Sequence, residues 1–238
     1  MMMTRLAILG SSSASMFKST LITLRYSLLR KQFKDSSGEE IPIFNYQLQK
    51  KKIFAELSKA YAMNSSFDQV RKLVQTNFER CERNDFSLLK TAHIQLCGCK
   101  ALFTWWLSRG MMNLMQACGG QGYSMYSGLP HLFRETFPDT ILEGENSVLL
   151  LQVSQSLLKG YQRLQTGSTD KIQDDMKYMV AEQELEEFVL PETEEAVCNP
   201  KFISRVLEKA TVFHVKDTAA LMMTKIASGM DPKSVGKI

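Results

Sequence analysis

Apolar residues recur at helical spacing in most of this chain. Leu6, Leu9, Met16, Leu21, Leu24, Leu28, Leu29 and Phe33 predict a first helix over roughly 3–33. Ser11 to Ser13 weaken it without ending it. Ser36-Ser37-Gly38 and Pro42 mark a loop. A second pattern runs over about 44–81, through Phe54, Leu57, Ala60, Met63, Val70, Val74 and Phe78, with Asn64-Ser65-Ser66 as a possible break. The third covers about 86–117, with Asp85 or Ser87 as N-cap and Gly119-Gly120 as the stop. Its stripe is Ala92, Leu96, Cys99, Leu102, Phe103, Trp106, Met111 and Met115. The fourth, about 145–164, begins Val148-Leu149-Leu150-Leu151 and is apolar on nearly every side, as a helix in the middle of a bundle would be. A last pattern runs over 200–228. No stretch alternates with the period of a strand, so the fold class is all-α.

Between the last two patterns the composition changes. Glu182, Glu184, Glu186, Glu187, Glu192, Glu194 and Glu195 surround Pro191 and predict an exposed acidic linker. The organisation expected is a bundle over 1–166, an acidic linker with a short helix over 167–199, and part of a second helical region over 200–238.

Composition narrows the function classes. The 238 residues are 44% hydrophobic and 23% charged, with a net charge of +4. That suits a globular chain with ample core material. Basic residues are dispersed, so a nucleic-acid footprint is missing and no nucleic-acid partner is expected. No apolar run approaches the roughly 18 residues of a membrane span. Leu6-Ala7-Ile8-Leu9 after Arg5 imitates a short signal peptide, but the run is too short and reads as helix. Five cysteines with no CxxC pair suggest reduced thiols, and three scattered histidines form no metal signature, so no metal is expected.

One stretch carries the candidate chemistry. Three glycines fall within Gly119-Gly120-Gln121-Gly122, at the end of a helix. A carboxylate pair, Glu143 and Glu145, precedes the next helix. Glycines there let a backbone approach a ligand closely, although an ordinary helix C-cap uses them too. A carboxylate at a helix start also complements the helix dipole. These patterns alone name no ligand.

Four blocks in order resemble the C-terminal helical part of acyl-CoA oxidases, and more distantly acyl-CoA dehydrogenases. They are Arg25-Tyr26-Ser27-Leu28-Leu29-Arg30-Lys31-Gln32-Phe33, then Ile41-Pro42-Ile43 with Tyr46-Gln47. Next come Ala117-Cys118-Gly119-Gly120-Gln121-Gly122-Tyr123 with Ser127-Gly128-Leu129-Pro130, and last Glu143-Gly144-Glu145-Asn146-Ser147-Val148-Leu149. The resemblance covers roughly 4–166 well. It departs at Lys34, where the family has Gly, at Gln121, where it has His, and at Met115-Gln116, where it has Arg-Glu.

The resemblance implies an up-and-down helical bundle of the acyl-CoA dehydrogenase C-terminal type. It also implies FAD, a fatty acyl-CoA substrate, oxygen as electron acceptor, a homodimer and the peroxisome, although Gly236-Lys237-Ile238 is no S-K-L type tail. Glu143 takes the family's base position. Arg30, Gln32 and Phe33 match residues reaching FAD across a dimer interface, and Gln116, Gly119 and Gly120 match the segment meeting that FAD from the partner. Glu145 and Asn146 fall beside the same cofactor; Arg5 and Tyr123 fall near the substrate. Family members are longer, so the chain is expected to start where a bundle following a β-domain starts and not to bind FAD tightly by itself. The alternatives are an acyl-CoA dehydrogenase or a non-catalytic helical dimerisation module.

Overall fold

The computed structural model describes residues 1–168, 176–181, 191 and 193–231. The chain forms two compact units, Met1–Leu151 and Gln152–Ile238. Both are helical. Much of the predicted acidic stretch (182–190 and 192) and the last seven residues, with the Gly236-Lys237-Ile238 tail among them, lie outside the described residues.

The first unit is built on three long helices, α1 (Met2–Leu29), α2 (Gln47–Cys81) and α3 (Leu89–Ala117). Their apolar stripes meet in one core, with Leu9 and Met16 from α1, Ala60, Met63, Val70 and Val74 from α2, and Leu96, Phe103, Leu107, Met111 and Leu114 from α3. Burial of such stripes supplies most of the stability of helices in water. Small residues let the axes approach. A side chain on Gly10 would press on the Phe67 ring, and one on Gly110 would meet Glu56 and Met16. Both predicted weak points run through as helix. The hydroxyls of Ser19, Thr20 and Ser27 bond back to carbonyls one turn earlier and so stay satisfied inside the bundle.

The first helix stops at Leu29, not at Phe33. Lys31–Lys34 (β1) and Glu40–Pro42 (β2) form a small antiparallel hairpin. Lys31 faces Pro42 and Lys34 faces Glu40, so β1 contains one extra residue, a bulge. Phe33 has φ 63° there and turns its ring outward, 67% exposed. Strands of four and three residues are too short to show a period. The amide of Ile43 donates to Arg30 O at 2.8 Å and closes the hairpin at its base.

α3 starts at Leu89 without a side-chain cap. Asp85 instead accepts from the Ser87 amide at 2.9 Å, in the turn before the helix. After α3 come α4 (Gly120–Tyr123), α5 (Leu129–Thr136) and α6 (Asn146–Gln165). The start of α6 is less covered than its sequence predicts. Leu149 is buried, yet Val148 and Leu151 are 52% and 45% exposed, because the described residues cover this helix on one side only.

In the second unit, α9 (Pro200–Ala227) follows α7 (Tyr178–Ala181) and α8 (Glu194–Val197). Leu164, Met176, Met179, Val212 and Val215 form its core. Asn199 caps α9 by accepting from the Lys201 amide at 2.9 Å. The five cysteines are all free thiols.

Candidate functional site

The predicted residues gather in two places within the first unit. The first is a pocket of about 400 Å³ where the end of α1, the base of the hairpin and the corner after α3 meet. Arg30 and Gln32 line it from the end of α1 and the hairpin, and Gln116, Gly119 and Gly120 from the corner, together with Tyr26 and Ile43. Gly119 adopts φ 57°, a left-handed conformation that ends α3 and suits glycine. A side chain added at Gly119 or Gly120 would meet nothing within 4 Å, so this backbone stands open. Gly122 differs, since a Cβ there would collide with the Met115 carbonyl. Gln49, on α2, fixes the corner by donating to Ala117 O at 2.8 Å and Ser27 Oγ at 2.9 Å.

The second place is the turn before α6. Glu143 has φ 58° and Gly144 φ 112°. Two successive left-handed residues, one with a side chain, persist only where the surroundings hold them. Two buried cations do so here. Arg5, 2% exposed, donates from Nη2 to Glu143 O at 2.9 Å and from Nε to the same oxygen at 3.1 Å. Lys100, 0% exposed, donates to Gly144 O at 2.8 Å and to Asn146 Oδ1 at 3.0 Å. Asn146 is itself buried and donates to Thr104 Oγ1 at 2.9 Å. The half-buried Glu143 side chain makes no hydrogen bond or ion pair among the described residues. Glu145 accepts from the amides of Ser147 and Val148 at 3.0 and 3.2 Å, and so caps α6.

The electrostatics follow from burial and bonding. Desolvation lowers the Lys100 ammonium to about 8, against the opposing pull of Asp139. Burial raises the Asp139 carboxyl, with Lys100 drawing it back. The Ser147 amide, then that of Val148, lowers Glu145. Burial raises the Cys97 thiol although Arg5 Nη1 lies 3.2 Å from its sulfur.

The family model for the acyl-CoA oxidase C-alpha1 domain matches residues 1–158. The chain belongs to the acyl-CoA oxidase family. It is 34% identical over 168 residues to peroxisomal acyl-coenzyme A oxidase 1 of Mus musculus, which covers 70% of this chain and 25% of the relative. Its fold matches solved acyl-CoA oxidase 1 of Arabidopsis thaliana with a TM-score of 0.89 and 28% identity, over 99% of this chain and 35% of that one. Acyl-CoA oxidase-2 of Caenorhabditis elegans, solved with FAD, ascaroside-CoA and ATP, shares the fold with a TM-score of 0.88 at 21% identity, over 98% of this chain and 34% of that one. The chain thus spans about a quarter of the length of the curated relatives it matches.

For a member of the acyl-CoA oxidase family, the site residues sort into three groups. Arg30, Gln32, Gln116, Gly119 and Gly120 share the pocket. Arg5, Glu143, Glu145 and Asn146 share the turn. Phe33 and Tyr123 stand outside both, and Tyr123 is 87% exposed. Arg5 and Asn146 direct their side chains to other protein groups and so hold the turn. Sequence reasoning missed Lys100, Thr104 and Gln49. A charged residue set between Cys99 and the apolar run Ala101-Leu102-Phe103 was the available signal for Lys100.

Proposed function

We propose that this chain carries the base and part of the cofactor cradle of a flavin-dependent acyl-CoA oxidase acting in fatty acid β-oxidation. Peroxisomal residence follows from the names of its relatives. The observation that carries the reading is the Glu143 turn, where the backbone is clamped by two cations and the carboxylate makes no hydrogen bond or ion pair among the described residues. A carboxylate so placed has lone pairs free to take a proton from the carbon next to a thioester carbonyl, from a fixed origin.

The pocket donors suit the phosphate and adenosine portion of FAD. Arg30 can pair its guanidinium with phosphate oxygens. Gln32 and Gln116 offer amides for sugar or base edges. The open backbone of Gly119 and Gly120 allows close approach. When bound, FAD accepts the hydride from the β-carbon and passes the electron pair to oxygen, giving trans-2-enoyl-CoA and hydrogen peroxide. Phe33 and Tyr123, both exposed, are free to meet cofactor or substrate from outside their own fold. The exposed apolar residues Leu29, Phe33 and Tyr126 support a homodimer.

Glu143→Gln tests the reading. In flavin-loaded protein given a fatty acyl-CoA, the variant is expected to lose peroxide formation by at least about a thousandfold while melting as the parent does. Turnover within about tenfold of the parent would exclude Glu143 as the base.

A further inference from the structure

We propose that Lys100 is a positioning residue whose buried ammonium fixes the backbone from which the Glu143 carboxylate extends. The proposal rests on the reading of Glu143 as the base.

Burying an ammonium is costly unless it is paired, and Lys100 forms no ion pair among the described residues. Both of its acceptors, Gly144 O and Asn146 Oδ1, belong to the turn that bears Glu143. Neither carries a charge. An apolar side chain would fill the same space without desolvating a cation. What an apolar side chain cannot do is bind a carbonyl. Arg5 takes the Glu143 carbonyl and Lys100 the next one, so two successive left-handed residues are held from two different helices. Asn146 and Thr104 add a second tie between α3 and the turn. The carboxylate therefore has a fixed origin while its own oxygens stay available.

A merely space-filling lysine and a positioning lysine differ in what their loss does. Lys100→Met removes a buried ammonium that Asp139 attracts without forming an ion pair among the described residues, so melting should stay within about 4 °C of the parent. Hydrogen exchange of the full chain at the Ser147, Val148 and Leu149 amides should quicken about tenfold, with the α1 and α3 core amides unchanged. In flavin-loaded protein, kcat should fall about a hundredfold with KM within about threefold. Lys100→Gln, which keeps a neutral donor, should recover part of both effects. Parental exchange and parental kcat in Lys100→Met would overturn the proposal. So would a loss of protection spread through all three long helices, or failure of both variants to fold, since either makes Lys100 a core residue. Normal turnover by Glu143→Gln would sink the base reading alone, and the exchange rates at 147–149 would still decide whether Lys100 holds the turn.

Discussion

Lys100 ties stability to pH with a sign opposite to that of a paired lysine. Its folded value of about 8 lies below the ordinary 10.5, so above pH 8 the native state binds fewer protons than the unfolded chain. Stability from this group therefore rises between about pH 8 and 10.5 and is lost as pH falls through 8. Subtracting the melting curve of Lys100→Met isolates it. The parent should gain on the variant as pH is raised from 8 to 10; a flat or falling difference would contradict the burial argument. Little of this was legible in the sequence. Glu143 stood out because two carboxylates flank a glycine before a helix. Lys100 did not, because a lysine inside an apolar stripe looks like a solvated exception until its acceptors are seen. The burial of Arg5 against the Glu143 carbonyl was equally invisible, since sequence does not reveal which charged groups are turned inward.

At the scale of elements, the long helices were readable because their stripes exceed seven turns and propensity dips at serine cannot break them. The hairpin was not, because its pairing depends on a bulge at Phe33 that no alternation announces. The corner after α3 is where one atom decides the path. Gly122→Ala must displace the Met115 carbonyl or α4, at a cost of about 2–3 kcal/mol. Thermal melting should show that loss, and the pocket beside it should bind flavin less well; an unchanged melt would mean the corner yields freely. In the second unit, Asn199→Ala removes the cap of α9 and should cost about 1 kcal/mol, read as faster exchange in the first turn of that helix.

At the scale of the molecule, exposed apolar side chains are informative where they lie together. Leu28, Leu29 and Phe33 near one wall of the pocket, and Tyr123, Met125 and Tyr126 after the other, are all exposed. A second copy is the occupant this proposal favours. Sedimentation equilibrium at micromolar concentration should return twice the 27.1 kDa chain mass, and Leu29→Lys with Tyr126→Lys should return one chain mass. A single-chain mass for the parent would remove the dimer from the proposal. The exposed Val148 and Leu151 carry a related lesson. Their all-round apolar pattern announces contact, but a sequence cannot say whether its own chain supplies that contact.

The hairpin between α1 and α2 is closed at its base by the bond from Ile43 to Arg30, both of which line the pocket. Its tip, at Ser36-Ser37-Gly38, is exposed, and a side chain added at Gly38 would meet nothing within 4 Å. Length at the tip is thus uncoupled from geometry at the base. Extra residues or a fluorophore inserted after Ser37 would ride on a sealed stem, giving a reporter beside the pocket that leaves the Arg30 guanidinium where it is.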